Sequence, residues 1–318
     1  MTTRRTWVWL VAGAWTFATV IIPPVAAQTP RRVGFAQVGA ESDWRAAETK
    51  SIRGEAEKRG VELKFSDGQG KQENQIKAIR SFIAQRLDAI ILAPVVETGW
   101  EPVLKEARAA KIPVFLVDRG INVSDDSLYV TLIASDFVEE GRMAGRWLVE
   151  KTGGQARIVE LQGTVGSAPA NDRKRGFEEA IRAHPGMRIV RSQSGDFRRS
   201  GGKQVMEAFI QALGREFDAV YAHNDDMALG AIQALDAAGL KPGKDVLIIS
   251  IDAVRAAFEA MIAGTLNATV ECNPLMGPLL FDTIEKHVRG ETIPKKIINP
   301  DRLFEQKDAA EAVKEREY

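Results

Sequence analysis

The sequence has few of the residues that build disulfides and zinc sites. Among its 318 residues there is one cysteine, Cys272, so no disulfide can form within the chain. The three histidines, His184, His223 and His287, lie far apart, and none is paired with another histidine or a cysteine at metal-ligand spacing. We therefore expect no metal and no cofactor, and a fold stabilised by its apolar core alone.

The chain also lacks an excess of charge of either sign. It has 43 basic and 43 acidic residues, and removal of the first 27 residues takes away two arginines and no acid, which leaves a net charge of −2. This balance does not favour a nucleic-acid partner. The motifs GxSxG and HExxH are absent, and GQGKQ at Gly68–Gln72 does not have the phosphate-loop spacing. No enzymatic activity is predicted.

The first 27 residues have the order of a secretory signal. Arg4 and Arg5 precede an apolar stretch from Trp7 to Ile22, and a proline pair is followed by small residues that end at Ala27. This order predicts export to the periplasm, with cleavage after Ala27. An uncleaved membrane anchor is the alternative, because the apolar stretch approaches the length of a spanning helix. No later stretch is apolar enough to span a membrane.

From Arg32 onward, short apolar runs alternate with amphipathic stretches. Val33–Gln37 and Asp88–Ala93 are predicted as strands, and Ser42–Arg59 and Asp172–Ala183 as helices. Such alternation is typical of βαβ units with a mostly parallel sheet, and a chain of this length exceeds one hydrophobic core. The fold class predicted is α/β, with two similar doubly wound lobes.

The pattern restarts after the predicted strand Tyr129–Ala134, which indicates that the chain crosses there into a second lobe. Further crossings are placed near Cys272 and Arg302. We expect an N-terminal lobe of residues 28–134 plus 273–301 and a C-terminal lobe of residues 135–272 plus 302–318. The charged tail over residues 307–318 is predicted as a surface helix.

Polar residues follow three of the apolar runs. Asp118 and Arg119 come after Ile112–Val117, Asn224 comes shortly after Phe217–Ala222, and Asp252 comes directly after Val246–Ile251. The carboxyl ends of strands in an open α/β sheet line the ligand crevice, so these side chains are expected to converge on a neutral polyol. The alternative for each aspartate is that it caps the following helix.

The chain resembles a known family through motifs spread over nearly its whole length. These are IPVFLVDR, DRKRGFEEA, AHNDDMALGAIQAL and IISID, with ESDWRAAET, DGQGKQENQIKAIRSF, VELQGTVG and RSQSGDFRRS. The family is that of the type I periplasmic binding proteins, the sugar receptors of bacterial ABC importers, and the second set is similar to its galactofuranose-binding branch. The resemblance implies a monomeric, non-enzymatic receptor that closes a three-strand hinge around a monosaccharide and delivers it to a membrane permease.

The resemblance also implies which residues contact the sugar. They are Trp44, which would stack on one sugar face, and Arg45, Glu48, Asp118, Arg119, Arg173, Asn224 and Asp252. Three alternatives stay open: Trp44 packs between lobes, Arg45 and Glu48 lie on a solvated helix face, and Asp118 and Arg119 form a surface ion pair.

Other positions are ambiguous or depart from the family pattern. Phe197 would stack on the other sugar face or turn into the core, and Asp225 and Asp226 are interpreted as the first turn of a helix. Ala253 stands where the family usually has glycine. Cys272 stands near a hinge position that is often polar, so the accepted hydroxyl pattern is expected to differ.

Three other functions use a similar architecture or similar residues. A chemotaxis or sensor-kinase receptor is not separated from an importer component by sequence. A carbohydrate-active enzyme would need two carboxyl groups placed across a scissile bond. A transcription regulator of this architecture would need an N-terminal helix-turn-helix, where this chain has the predicted export signal.

Overall fold

The computed structural model describes residues 2–3 and 31–318. Apart from residues 2 and 3, the predicted export signal and its cleavage point at Ala27 lie outside the described residues. Within the described part of the chain, no helix has the length and apolar character needed to cross a membrane.

Residues 31–318 alternate between strands and helices, with one short 3-10 helix at Asp126–Leu128. The strands are β1 Arg32–Gln37, β2 Glu62–Asp67, β3 Ala89–Leu92, β4 Val114–Val117, β5 Leu132–Ser135, β6 Gln155–Gln162, β7 Gly186–Ser194, β8 Ala219–Ala222, β9 Leu247–Asp252, β10 Ala268–Glu271, β11 Lys296–Asn299 and β12 Leu303–Glu305. The helices are α1 Asp43–Lys58, α2 Gln72–Ala84, α3 Glu101–Ala109, α4 Phe137–Thr152, α5 Ala168–Ile181, α6 Arg199–Leu213, α7 Asp225–Ala237, α8 Arg255–Ile262, α9 Gly277–Val288 and α10 Gln306–Glu315.

The strands form two six-stranded sheets, one in each lobe. The first has the order β11-β5-β4-β3-β1-β2, and all of its neighbouring strands are parallel. The second has the order β12-β10-β9-β8-β6-β7 and is parallel except for the pair β10 and β12. Every residue of β3, β4 and β8 is buried, as expected for strands covered by helices on both faces. The predicted architecture of two doubly wound lobes is confirmed.

The chain passes between the two sheets three times. β5 belongs to the first sheet, whereas α4 packs on α5 and on strands of the second. β10 lies in the second sheet and is followed by α9, which packs on α1 of the first lobe. β11 then joins the first sheet and β12 the second, so three adjacent connections form a hinge.

Three predicted elements differ from the structure at their ends. α5 begins at Ala168 rather than at 172, because Pro169 stands in its first turn, where a missing N–H has no cost. β5 begins at Leu132 rather than at 129, because Tyr129 still caps the 3-10 helix Asp126–Leu128 and the chain joins the sheet only at Leu132. The C-terminal tail is not wholly a surface element: α10 buries Ala309, and Arg316 beyond it is 8% exposed.

Candidate ligand-binding site

A cavity lies between the carboxyl ends of the two sets of strands. Its wall is built from both lobes and from the hinge. The lining residues are Glu41, Ser42, Trp44, Arg45, Asp118, Arg119, Pro169, Arg173, Phe197, Asn224, Asp252 and Cys272. Eight of these twelve residues are charged or polar, so the lining suits a polar ligand.

Seven of the eight residues predicted from sequence line this cavity, and the eighth, Glu48, lies behind Arg45. The solvated-face alternative for Arg45 and Glu48 is wrong, because the two residues are 2% and 0% exposed. The surface ion pair proposed as an alternative for Asp118 and Arg119 is also wrong, since they are 3% and 2% exposed.

Arg45 organises the wall of the first lobe through three carboxylates. Its Nε donates to Glu41 Oε1 at 3.0 Å, its Nη1 to Glu48 Oε2 at 2.5 Å, and its Nη2 to Asp118 Oδ2 at 2.6 Å. Burial lowers the pKa of Arg45, but the charges of Asp118, Glu48 and Glu41 outweigh it and hold that pKa well above its usual value. The guanidinium therefore stays charged and fixes the orientation of Asp118.

Arg119 and Glu41 present hydrogen-bonding atoms that no described residue uses. Arg119 Nη1 donates to the Val95 carbonyl at 3.2 Å and Nη2 to Glu41 Oε1 at 3.4 Å, whereas the buried Arg119 Nε and Glu41 Oε2 have no partner among the described residues. Buried polar atoms are rarely left unpaired. A donor and an acceptor on adjacent side chains match hydroxyl groups, which both donate and accept.

Arg173 of α5 has the corresponding position in the second lobe. Its Nε donates to Glu140 Oε2 at 2.7 Å, its Nη1 to the His223 carbonyl at 2.6 Å, and its Nη2 lies 3.6 Å from Asp252 Oδ1. Burial raises the pKa of Asp252 well above its usual value, although Arg173 opposes the shift. A neutral Asp252 carboxyl can donate to a hydroxyl as well as accept from one.

The helix-capping alternative is wrong for both aspartates. Asp118 bonds to Arg45, and the residue before α8 is Val254 rather than Asp252. Asn224, by contrast, caps α7: its Oδ1 accepts from Met227 N at 3.0 Å, while its Nδ2 donates to the Phe197 carbonyl at 3.1 Å. Asn224 therefore has less hydrogen-bonding capacity left for a ligand than Asp118 has.

Two aromatic rings from different lobes also line the cavity. Trp44 is 4% exposed, and its Nε1 donates to the Cys272 carbonyl in the hinge at 2.5 Å. Phe197 is both buried and part of the cavity wall. The Cζ atoms of Arg119 and Arg173 lie 5.3 Å and 6.0 Å, respectively, from the centre of its ring. A sugar has apolar C–H patches as well as hydroxyls, and flat rings pack against such patches.

The backbone is strained where the strands reach the cavity. Asp118, Asp252 and Ala253 have φ values of 62°, 131° and 58°, the left-handed region that favours glycine. Each such residue costs roughly 1–3 kcal/mol and is found mainly at functional sites. Ala253, which stands where the family usually has glycine, adopts the turn and donates its N–H to Thr269 Oγ1 at 3.2 Å.

Sequence reasoning missed Glu41, Ser42 and Pro169 as lining residues. Glu41 had a usable signal, because it stands four residues before Arg45, the spacing of a helical ion pair. Pro169 had none, since the start of α5 was placed too late. Within residues 31–318 no three His, Cys, Asp or Glu side chains are grouped to hold a metal ion.

Comparison with known proteins identifies the family. A family model described as a periplasmic binding protein domain matches residues 33–292. The chain belongs to this family. A curated relative of this periplasmic binding protein is the galactofuranose-binding protein of Escherichia coli, which is 58% identical over 86% of this chain and 87% of its own length.

Solved structures agree with this assignment. A galactofuranose-binding protein has a TM-score of 0.89 at 55% identity, with 90% of this chain and 98% of that chain covered. The binding component of an arabinose ABC transporter from Shewanella sp. ANA-3, solved with arabinofuranose, has a TM-score of 0.88 at 55% identity, covering 90% and 95%. This periplasmic binding protein therefore has the type I fold, with its cavity between two lobes.

Proposed function

We propose that this chain is a non-enzymatic periplasmic receptor that captures one neutral monosaccharide, galactofuranose or a related aldose, and delivers it to the permease of an ABC importer. The observation that carries the proposal is the wall of the cavity. Three arginines and three carboxyl groups line it together with two aromatic rings, and both lobes contribute. Such a set fits a small polyol.

The chemistry of the wall favours a neutral ligand. Arg45, Arg119 and Arg173 are each accompanied by carboxyl groups of the protein, so an added carboxylate or phosphate would find its positive partners already engaged. Hydroxyl groups can use the remaining atoms, and each charge-assisted hydrogen bond contributes about 1.5–3 kcal/mol. Several such bonds with ring stacking are enough for micromolar affinity, about −8 kcal/mol.

Ring form is the finer part of the proposal. The names of two similar proteins specify galactofuranose and arabinofuranose, which are five-membered rings. We extend this preference to the present chain. The lobes are proposed to be residues 28–134 plus 273–301 and residues 135–272 plus 302–318, in a monomer exported by a signal that is cleaved after Ala27.

The proposed contacts divide into direct and indirect ones. Trp44, Arg45, Asp118, Arg119, Arg173, Asn224 and Asp252 are proposed to touch the sugar, with Phe197 against its second face. Glu48 is proposed to act through Arg45, because its Oε2 accepts from Arg45 Nη1 and it does not line the cavity.

Calorimetric titration tests the proposal directly. D-Galactose, L-arabinose and D-ribose, which supply furanose and pyranose forms in solution, are titrated into the protein alongside a purine and an amino acid. We expect micromolar or tighter binding of galactose or arabinose, and NMR of ligand released from the complex should show the furanose form first. Millimolar sugar binding together with tight binding of the purine or the amino acid would contradict the proposal.

A further inference from the structure

Three charged residues join the two lobes at the rim of the cleft, outside the ligand cavity. Arg199 donates from Nη2 to Asp43 Oδ2 at 2.9 Å and from Nε to Asp226 Oδ1 at 3.0 Å. The backbone N–H of Asp43 donates to Asp226 Oδ2 at 2.9 Å. We call Asp43, Arg199 and Asp226 the rim latch, and none of them lines the cavity.

The latch crosses from one lobe to the other. Asp43 is the first residue of α1 in the N-terminal lobe, whereas Arg199 and Asp226 lie in the first turns of α6 and α7 in the C-terminal lobe. Opening the hinge would separate Asp43 from both partners while Arg199 and Asp226 stayed together. The contacts made by Asp43 therefore exist only when the lobes are closed.

The two helix ends make the geometry favourable. The N–H of Asp43, at the N-terminus of α1, donates to the Asp226 carboxylate, and the N-terminal end of a helix attracts negative charge. The side chain of Asp226 is 6% exposed and those of Arg199 and Asp43 are 40% and 63% exposed. The latch is thus partly desolvated on one side and open to salt on the other.

We propose that the rim latch stabilises the closed arrangement independently of the sugar and so tightens the binding of every ligand by the same factor. This inference rests on the proposed function. A contribution to closure that does not involve the ligand multiplies every dissociation constant equally, because it shifts the open-to-closed equilibrium alone. A residue that touches the sugar would instead change the ratio between sugars.

The test uses Asp43→Ala, Arg199→Ala and the double variant, with galactose and arabinose as probes. Asp43→Ala is the principal variant, since it leaves the Arg199 and Asp226 pair of the C-terminal lobe intact. Arg142→Ala is the matched control: its side chain is 41% exposed and pairs with Glu139 and Glu179, both in its own lobe.

Asp43→Ala should raise both dissociation constants about 1.5- to 5-fold, as expected for one exposed ion pair, and leave their ratio unchanged. The double variant should raise the dissociation constants by less than the product of the two single effects, because each single variant already breaks the contact between Asp43 and Arg199. High salt should weaken wild-type binding and leave Asp43→Ala nearly unaffected. The control should bind like the wild type.

Small-angle scattering of the unliganded proteins separates this inference from the proposed function. If wild type binds no sugar, the proposed function fails, and scattering alone decides the latch: a larger open population in Asp43→Ala than in wild type supports it. Scattering curves and affinities identical between wild type and Asp43→Ala would overturn it. A change in the ratio of the two dissociation constants would also overturn it.

Discussion

Arg45 and Asp118 lie 73 residues apart in the sequence and are joined by a hydrogen bond of 2.6 Å between Nη2 and Oδ2. Both residues are buried, and the bond from Arg45 holds Asp118 Oδ2 in place. Asp118 lines the cavity, and its Oδ1 is the oxygen that we propose accepts from the sugar.

Replacing Asp118 should therefore abolish tight binding without unfolding the protein. We expect Asp118→Ala to cost about 2–4 kcal/mol of binding free energy, because buried hydroxyls of the sugar lose their acceptor. Titration calorimetry measures the loss, and a melting curve measures the fold. Asp125→Ala, at an aspartate paired with Arg108 on the surface, is the control. A variant at 118 that fails to fold would show that Asp118 is structural.

Removal of one N–H tests the link between the aromatic ring and the hinge. Trp44→Phe keeps a flat ring but leaves the buried Cys272 carbonyl without its donor, which should weaken sugar binding by about 1–2 kcal/mol. Trp147→Phe is the matched control, since Trp147 Nε1 donates to Glu305 Oε1 at 2.9 Å within the C-terminal lobe. Trp147→Phe should lower the melting temperature and leave the sugar affinity unchanged. Equal affinity losses in both variants would contradict this account.

How much of the site was predictable depended on the kind of contact. Asp118 and Asp252 could be placed because parallel strands bring their carboxyl ends together whatever the side chains are. The same reasoning could not show that the Asn224 carboxamide caps α7 and also donates to the Phe197 carbonyl. The second of these bonds depends on a loop conformation with φ of 59° at Phe197.

Helix periodicity gave a partial answer for α1. The spacing of Arg45 and Glu48 puts them on one face of the helix, which is consistent with both being buried. Periodicity does not say which of the two faces the cavity, since that depends on how α1 is rotated against the sheet. The latch of Asp43 with Arg199 and Asp226 was beyond reach for a similar reason, because it exists only when two lobes are brought together.

The free energy of unfolding should depend on pH through the titration of Glu48. Burial raises its pKa from 4.5 to about 7, with Arg45 opposing and Asp118 adding to the shift. Because the folded state binds this proton more tightly, the stability from this group is complete below about pH 4.5 and is lost as the pH rises through about 7.

Glu48→Gln removes this titration while keeping an oxygen for Arg45. The difference in free energy of unfolding, wild type minus variant, should fall by about 1–3 kcal/mol between pH 4.5 and 8, measured by urea denaturation. Glu57→Gln, at an exposed glutamate on the same helix, is the matched control. Parallel curves for wild type and Glu48→Gln would contradict the assignment.

A methyl group at Gly163 should displace the Phe197 ring from the cavity wall. A Cβ built at Gly163 would lie 1.9 Å from Phe197 Cζ, so the ring must move. We expect Gly163→Ala to weaken sugar binding at least about tenfold, about 1.4 kcal/mol. Gly54→Ala is the control, because a Cβ there, on the exposed face of α1, meets nothing within 4 Å and should stabilise the helix by about 0.5–1 kcal/mol. Unchanged affinity in Gly163→Ala would exclude Phe197 from binding.

Cys272 provides a chemical probe of closure. It is 1% exposed in this closed structure, and burial raises the pKa of its thiol well above the usual value, so alkylation should require the lobes to open. Saturating sugar at 100 times the dissociation constant reduces the unliganded fraction about 100-fold, and alkylation by N-ethylmaleimide should slow about tenfold or more. Because the chain has one cysteine, intact mass reports the reaction as a single adduct. Asp118→Ala should gain only about fourfold protection or less at the same sugar concentration, because its predicted loss of about 2 kcal/mol or more lowers its occupancy. Equal rates for wild type with and without sugar would show that the thiol is reached without opening.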